Sequence, residues 1–128
     1  MKRIVHILIC LAVFFGFGQT VQASEARHNM SYIYFGNSAS YTSYVDDTKG
    51  SINEISPYYF ELNRDGSLSL TASVSKEFVK DMHDRGILVV PYLSNNWNQN
   101  TGIAALDNRH ALSDQLKEAV AEYNLDGV

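Results

Sequence analysis

Aromatic rings and amides, rather than a catalytic cluster, are the chemistry-bearing residues of this chain. Tyr34, Tyr59, Phe60, Tyr92 and Trp97 fall within or just after short apolar runs, with Asn37 and Asn95 beside them. Rings stack on the C–H faces of sugars while amides and hydroxyls bond sugar hydroxyls, so the mixture suits a carbohydrate-binding mouth. Tyr59, Phe60 and Tyr92 suit core packing equally well. Trp97, set among asparagines in the polar stretch Ser94–Gly102, is better explained by a ligand than by a core. There is no His-x-x-x-His, no cysteine pair and no carboxylate cluster, so neither a metal nor a cofactor is expected. Nothing resembles a phosphate-cradling glycine loop or a serine nucleophile elbow. His83 and His110 read as solvated helix residues, and Asp46-Asp47 as a surface pair. Glu61 lies in a strand with no sign of a partner.

These side chains need elements to position them. Ser31-Tyr32-Ile33-Tyr34-Phe35 reads as a first strand closed by Gly36-Asn37. Asn37–Tyr44, rich in Ser and Tyr, reads as a loop, with room for a short helical segment at Tyr44–Thr48. Pro57 opens a second strand, Tyr58–Leu62, and Asp65-Gly66 supplies a turn into a small arm carrying Leu68 and Leu70. Ser75 caps a helix through Arg85, with Phe78, Val79 and Met82 inward and Gly86 at its end. Ile87–Tyr92 is continuously apolar, as expected of a parallel strand covered on both faces. Asp107–Tyr123 carries Leu112, Leu116, Val120 and Tyr123 at helical spacing, with Asn124 suited to the left-handed position beyond it. Leu125-Asp126-Gly127-Val128 then looks like the start of a buried strand. Strands alternating with helices predict parallel βα units, whose binding groups sit at the carboxyl ends of the strands.

Residues 1–23 carry a different signal. Lys2 and Arg3 precede an apolar run from Ile4 to Phe17, and Val21-Gln22-Ala23 fits a small-residue cleavage site. This predicts a secretory signal peptide, a product beginning at Ser24 and no stable membrane association after cleavage. Cys10 falls with the leader, so the mature part cannot rely on disulfides and needs a core. The chain has 10 Lys and Arg, of which Lys2 and Arg3 are lost, against 14 Asp and Glu, for a mature net charge near −6. No basic cluster survives, which argues against nucleic acid and anionic membranes as partners.

Asp126-Gly127-Val128 gains weight from its place directly after an amphipathic helix. Here the sequence resembles the family 18 glycoside hydrolases, the chitinase and N-acetylglucosaminidase-like (β/α)₈ barrels. Their fourth strand carries Asp-Gly-aliphatic-Asp-x-Asp-x-Glu, and Asp126-Gly127-Val128 matches its first three positions. Ser31–Phe35, Ile55–Phe60 and Gly86–Tyr92 correspond to the first three strands. Ser56-Pro57 followed by Asp65-Gly66-Ser67-Leu68 is most similar to the bacterial members linked to spore and cell-wall peptidoglycan. One departure concerns Ser94-Asn95-Asn96-Trp97, where chitinases usually carry Ser-x-Gly-Gly. The resemblance implies an α/β fold, the N-terminal half of a (β/α)₈ barrel truncated at the start of its fourth strand. It implies a β-linked N-acetylglucosamine polymer, peptidoglycan or chitin, as the carbohydrate partner. It also implies that Asp126 is the supporting first aspartate of the signature, while the general acid falls past Val128. A small doubly wound α/β domain is the alternative fold. A non-catalytic sugar-binding protein and an inert remnant are the alternative roles.

Overall fold

The computed structural model describes residues 27–128, so the expected signal peptide lies outside the described residues. Three parallel strands form the frame. β1 (Met30–Ile33), β2 (Glu54–Pro57) and β5 (Leu88–Val89) pair in that order, with Ser31 opposite Ile55 and Ile55 opposite Val89. α1 (Ser38–Asp47) connects the first two strands. The second connection holds a hairpin, β3 (Phe60–Leu62) and β4 (Leu68–Leu70), and then α2 (Lys76–Asp84). After β5 the chain forms β6 (Leu93–Ser94), which joins the hairpin to make a second sheet ordered β4-β3-β6. α3 (Gln99–Asp107) and α4 (Arg109–Tyr123) follow. The architecture is mixed α/β, and the sheet does not close among the described residues.

Side-chain alternation gives the frame two unlike faces. Ile33, Ile55 and Val89 point toward the helices and are buried with Tyr41 and Val45 of α1, Phe78, Val79 and Met82 of α2 and Ala119 of α4. Each such large apolar side chain contributes about 1.5–3 kcal/mol on full burial. The opposite face carries Met30, Tyr32 and Leu88, all exposed.

Several expectations change. The second strand of the frame is Glu54–Pro57, so Pro57 closes it rather than opening Tyr58–Leu62. The Ser- and Tyr-rich stretch is a helix: Asn37 accepts from Ser40 N, and the Ser40 hydroxyl accepts from Asn37 N, satisfying donors at both ends of a capping box. Tyr41 and Val45, four residues apart, give that helix its buried stripe. The apolar run Ile87–Tyr92 pairs in the frame only at Leu88–Val89; after Val90, whose N donates to the Ile55 carbonyl, the chain passes to the second sheet at Leu93. Leu88 is 44% exposed, so this strand is covered on one face, not both. The helix expected over Asp107–Tyr123 is present as Arg109–Tyr123, and a further helix, Gln99–Asp107, begins inside the stretch expected to be a polar loop, where Asn98 caps it by accepting from Thr101 N. Ser75, Gly86 (φ 73°) and Asn124 (φ 53°) hold the cap and end positions expected of them.

Candidate functional site

At the carboxyl ends of the three parallel strands stand three tyrosines in a row. Tyr34 and Tyr58 directly follow β1 and β2, and their rings stack with centroids 5.0 Å apart. Tyr58 stacks in turn on Tyr92, just beyond β5, at 5.5 Å and an interplanar angle of 18°. Tyr32 meets Tyr92 edge-on at 5.6 Å. The parity of the strands makes this row: residues 32 and 34 share a face, and so do 56 and 58. Burial, then the neighbouring Tyr34 and Tyr58, pushes the Tyr92 phenol up to about 12, so the ring presents a neutral hydroxyl.

A carboxylate network braces the middle ring. The parallel pairing of β3 with β6 sets Glu61 opposite Ser94, at the root of the Ser94–Asn98 turn. Glu61 Oε2 accepts from the Tyr58 hydroxyl at 2.6 Å and from Asn96 Nδ2 at 3.0 Å. The Tyr58 bond, then the Asn96 bond, holds the Glu61 carboxyl below its ordinary value. The Tyr58 phenol is raised, by burial first and by Glu61 second, so the shared proton stays on the tyrosine. Glu61 is therefore an ionised acceptor. A general acid needs the opposite shift.

Trp97 projects from the same turn, 100% exposed. Asn96 (φ 51°) and Trp97 (φ 59°) are both left-handed. Such backbone costs of order 1–3 kcal/mol for a bulky residue, and the exposed indole gains nothing from packing to offset it. Hydrogen bonds define the turn instead: Asn96 N donates to Ser94 Oγ (3.0 Å), Trp97 N to Asn95 Oδ1 (3.2 Å) and Asn98 N to the Asn95 carbonyl (2.9 Å). Between the turn and the tyrosines lies an open groove of about 340 Å³ lined by Tyr34, Tyr92, Leu93, Ser94, Asn95 and Trp97.

Of the residues expected at a binding mouth, Tyr34, Tyr92, Asn95 and Trp97 come together here. Asn37 does not; its side chain caps α1. Tyr59 and Phe60 are corrected to core residues, each 0% exposed on the helix side, with Tyr59 stacked on Tyr41 at 6.5 Å. Burial raises the Tyr59 phenol well above its ordinary value. Asp126 lies away from the row. Its Oδ2 accepts from Val89 N at 2.7 Å, and its own N donates to the Val89 carbonyl, clamping the C-terminal segment to the edge of β5. Val89 is three residues before Tyr92, a separation of roughly 10 Å along an extended chain. His83 is not simply solvated, because its Nε2 lies 2.8 Å from Asp126 Oδ2 and its Nδ1 lies 3.2 Å from Asn124 Nδ2. Asp46 likewise leaves the role of a free surface charge, pairing with Arg85 at 2.5 Å to tie α1 to the end of α2. Tyr58, Glu61 and Asn96 are the members that the sequence did not announce. Among the described residues, no three His, Cys, Asp or Glu side chains gather as a metal site would require.

No family model and no curated protein matches the sequence. Solved structures do match the fold. The Bacillus cereus spore cortex-lytic enzyme SleL superposes with a TM-score of 0.65 at 11% identity, over 77% of this chain and 25% of that one. A chitinase from Chromobacterium violaceum gives 0.64 at 13% identity, over 79% of this chain and 34% of that one. A chitinase from Bacteroides thetaiotaomicron gives 0.58 at 18% identity with the same coverages. The chain thus spans a quarter to a third of the structures it matches, and at these identities it shares with a spore cortex-lytic enzyme and two chitinases a fold.

Proposed function

We propose that this chain is part of a secreted glycoside hydrolase of the family 18 type, acting on β-linked N-acetylglucosamine polymers, with peptidoglycan preferred over chitin. In this reading residues 24–128 are the N-terminal half of a (β/α)₈ barrel, following a signal peptide at 1–23. The carrying observation is the Tyr34–Tyr58–Tyr92 row, which stands with Trp97 at the carboxyl ends of consecutive parallel strands, where barrels of this class place their sites. The fold likeness to a cortex-lytic enzyme and to chitinases supports the same substrate class. Asn96 and Trp97 stand where chitinases usually carry the two glycines of Ser-x-Gly-Gly, a departure that supports peptidoglycan over chitin.

The role of these residues is to hold glycan. Trp97 and Tyr92 line the groove with rings, and Ser94 and Asn95 line it with a hydroxyl and an amide that also bond within the turn. No Asp-x-Asp-x-Glu run occurs within residues 1–128, and Glu61, the carboxylate beside the row, is held ionised. These residues alone therefore bind without hydrolysing. That state also favours the second reading, a purely sugar-binding protein.

Titrating the protein with N-acetylglucosamine oligomers and with soluble peptidoglycan fragments tests the proposal. Trp97→Ala and Tyr92→Ala should each weaken binding by about 1–3 kcal/mol, the scale of base–aromatic stacking losses borrowed here for sugar. Unchanged binding in a folded double variant removes the groove from the site. Turnover of a chromogenic N-acetylglucosaminide that disappears in Glu61→Gln or Asp126→Asn overturns the assignment of these residues as non-acids.

A further inference from the structure

We propose that Glu61 is the positioning residue for Trp97, fixing through Asn96 the left-handed turn that presents the indole to the groove. This rests on the glycan-binding reading above and adds to it the device that sets the geometry of the site. The observations concern where the turn is tied. The bonds Asn96 N to Ser94 Oγ, Trp97 N to Asn95 Oδ1 and Asn95 Nδ2 to the Asn98 carbonyl are all internal to the turn and move with it. Two contacts of the Asn96 amide leave the turn: Nδ2 donates to Glu61 Oε2, 35 positions earlier in the second sheet, and Oδ1 lies 3.0 Å from the Tyr58 hydroxyl, which Glu61 itself holds. The same Glu61 oxygen accepts the Tyr58 hydrogen bond, and Tyr58 is wedged between Tyr34 and Tyr92. One carboxylate oxygen therefore joins the ring row to the turn that carries the facing ring.

Trp97 needs such a tie because no packing of its ring orients it. The indole is fully exposed, so no neighbour packs it into place. Its direction follows from φ 51° at Asn96 and φ 59° at Trp97, a conformation that unrestrained non-glycine residues leave. Holding a binding ring in its bound geometry before ligand arrives removes part of the ordering cost of association. A carboxylate serves better than an amide from the backbone, since a charged acceptor makes the shorter and stronger bond. Asn at position 96 fits twice, as the residue type most tolerant of the left-handed region after glycine and as the donor.

Trp97 is the sole tryptophan, so its fluorescence reports on this turn alone. In the protein without glycan, Glu61→Ala should lower the steady-state anisotropy of Trp97, whereas Glu61→Gln, which keeps an acceptor oxygen, should recover most of it. Asn96→Gly permits the left-handed backbone and removes the donor together with the Oδ1 contacts, and should lose at least as much as Glu61→Ala. The double variant Glu61→Ala/Asn96→Gly should lose no more than Asn96→Gly alone, because that variant already lacks the Glu61 bond along with the Asn96 Oδ1 contacts to Tyr58 and Ser94. Affinity for N-acetylglucosamine oligomers should fall about tenfold in Glu61→Ala, equivalent to about 1.4 kcal/mol. Anisotropy unchanged in Glu61→Ala, or losses that add in the double variant, overturns the proposal. The arms separate from the glycan reading: a protein that binds no oligomer but shows the anisotropy pattern keeps Glu61 as the tie and loses the substrate. Oligomer binding that Trp97→Ala abolishes and Glu61→Ala leaves intact does the reverse. Should Glu61→Ala not fold, Asn96→Gly carries the same comparison from an exposed position.

Discussion

Replacing Tyr58 with Phe removes one hydroxyl from the network, with its bond to Glu61 and its 3.0 Å contact with Asn96 Oδ1. The ring stays between Tyr34 and Tyr92, while Glu61 loses its donor at 2.6 Å and keeps Asn96 at 3.0 Å. Hydrogen bonds to charged groups contribute about 1.5–3 kcal/mol, and the solvent screening of a half-exposed carboxylate takes this one to about 1 kcal/mol. For a domain of this size that lowers Tm by about 4–8 °C. The pH dependence has a definite sign. The folded pKa of Glu61 lies below its ordinary 4.5, so the contribution is complete above pH 4.5 and fades as pH falls through the depressed folded value. The Phe variant should therefore be less stable than the parent at neutral pH, with the gap narrowing in acid. The Glu61 titration midpoint, followed by carboxyl carbon NMR, should rise toward 4.5. Urea melts of both proteins at neutral and acid pH supply the stability difference. An equal gap at both pH values, or an unmoved midpoint, refutes the assignment of Tyr58 as the group that holds Glu61 ionised.

Three further outcomes are expected. Gly66→Ala places a Cβ 2.4 Å from the backbone of Ala104 and Ala105 at φ 81°, and should cost about 2–4 kcal/mol in a urea melt; a midpoint near that of the parent contradicts the packing of α3 on the hairpin turn. Asp126→Ala removes the acceptor of Val89 N, and should speed hydrogen exchange of that amide about tenfold, corresponding to a bond of about 1–2 kcal/mol; unchanged protection means the C-terminal segment is held by other contacts. Mass spectrometry of the secreted product should show a start at Ser24, and an intact Met1 rejects the signal peptide.

Punctuation was legible and run length was not. Ser75, Gly86 and Asn124 marked their helix ends because a cap or a left-handed residue acts through local backbone geometry, which a single residue type controls. The Asp65-Gly66 turn was legible for the same reason, with Asp65 Oδ1 accepting from Ser67 N. α1 stayed hidden because its serines and tyrosines are indifferent helix formers, and its signals are the Asn37–Ser40 box and the Tyr41/Val45 pair. The apolar run Ile87–Tyr92 concealed its own interruption. Its hydropathy is continuous but its pairing is not, and the chain leaves one sheet at Val89 and enters another at Leu93.

The candidate site turned on where the second strand ends. Placing the second strand at Tyr58–Leu62 makes Tyr59 and Phe60 interior strand residues and leaves Tyr58 as an opening position. With the strand at Glu54–Pro57, alternation carries the face of Glu54 and Ser56 onward to Tyr58 and the face of Ile55 onward to Tyr59. Tyr58 then joins Tyr34 and Tyr92, and Tyr59 goes into the core against Tyr41. A signal for this was present: Ile33 and Ile55 are the buried members of matching pairs, so the tyrosines directly following each strand had to share the opposite side. Glu61 had no comparable signal. Its partners are Tyr58, three residues back and placed by that register, and Asn96, 35 residues on, which reaches it only because β6 abandons the first sheet to pair with β3. A carboxylate whose role depends on two strand decisions made elsewhere reads, in the sequence alone, as one more polar residue on a strand.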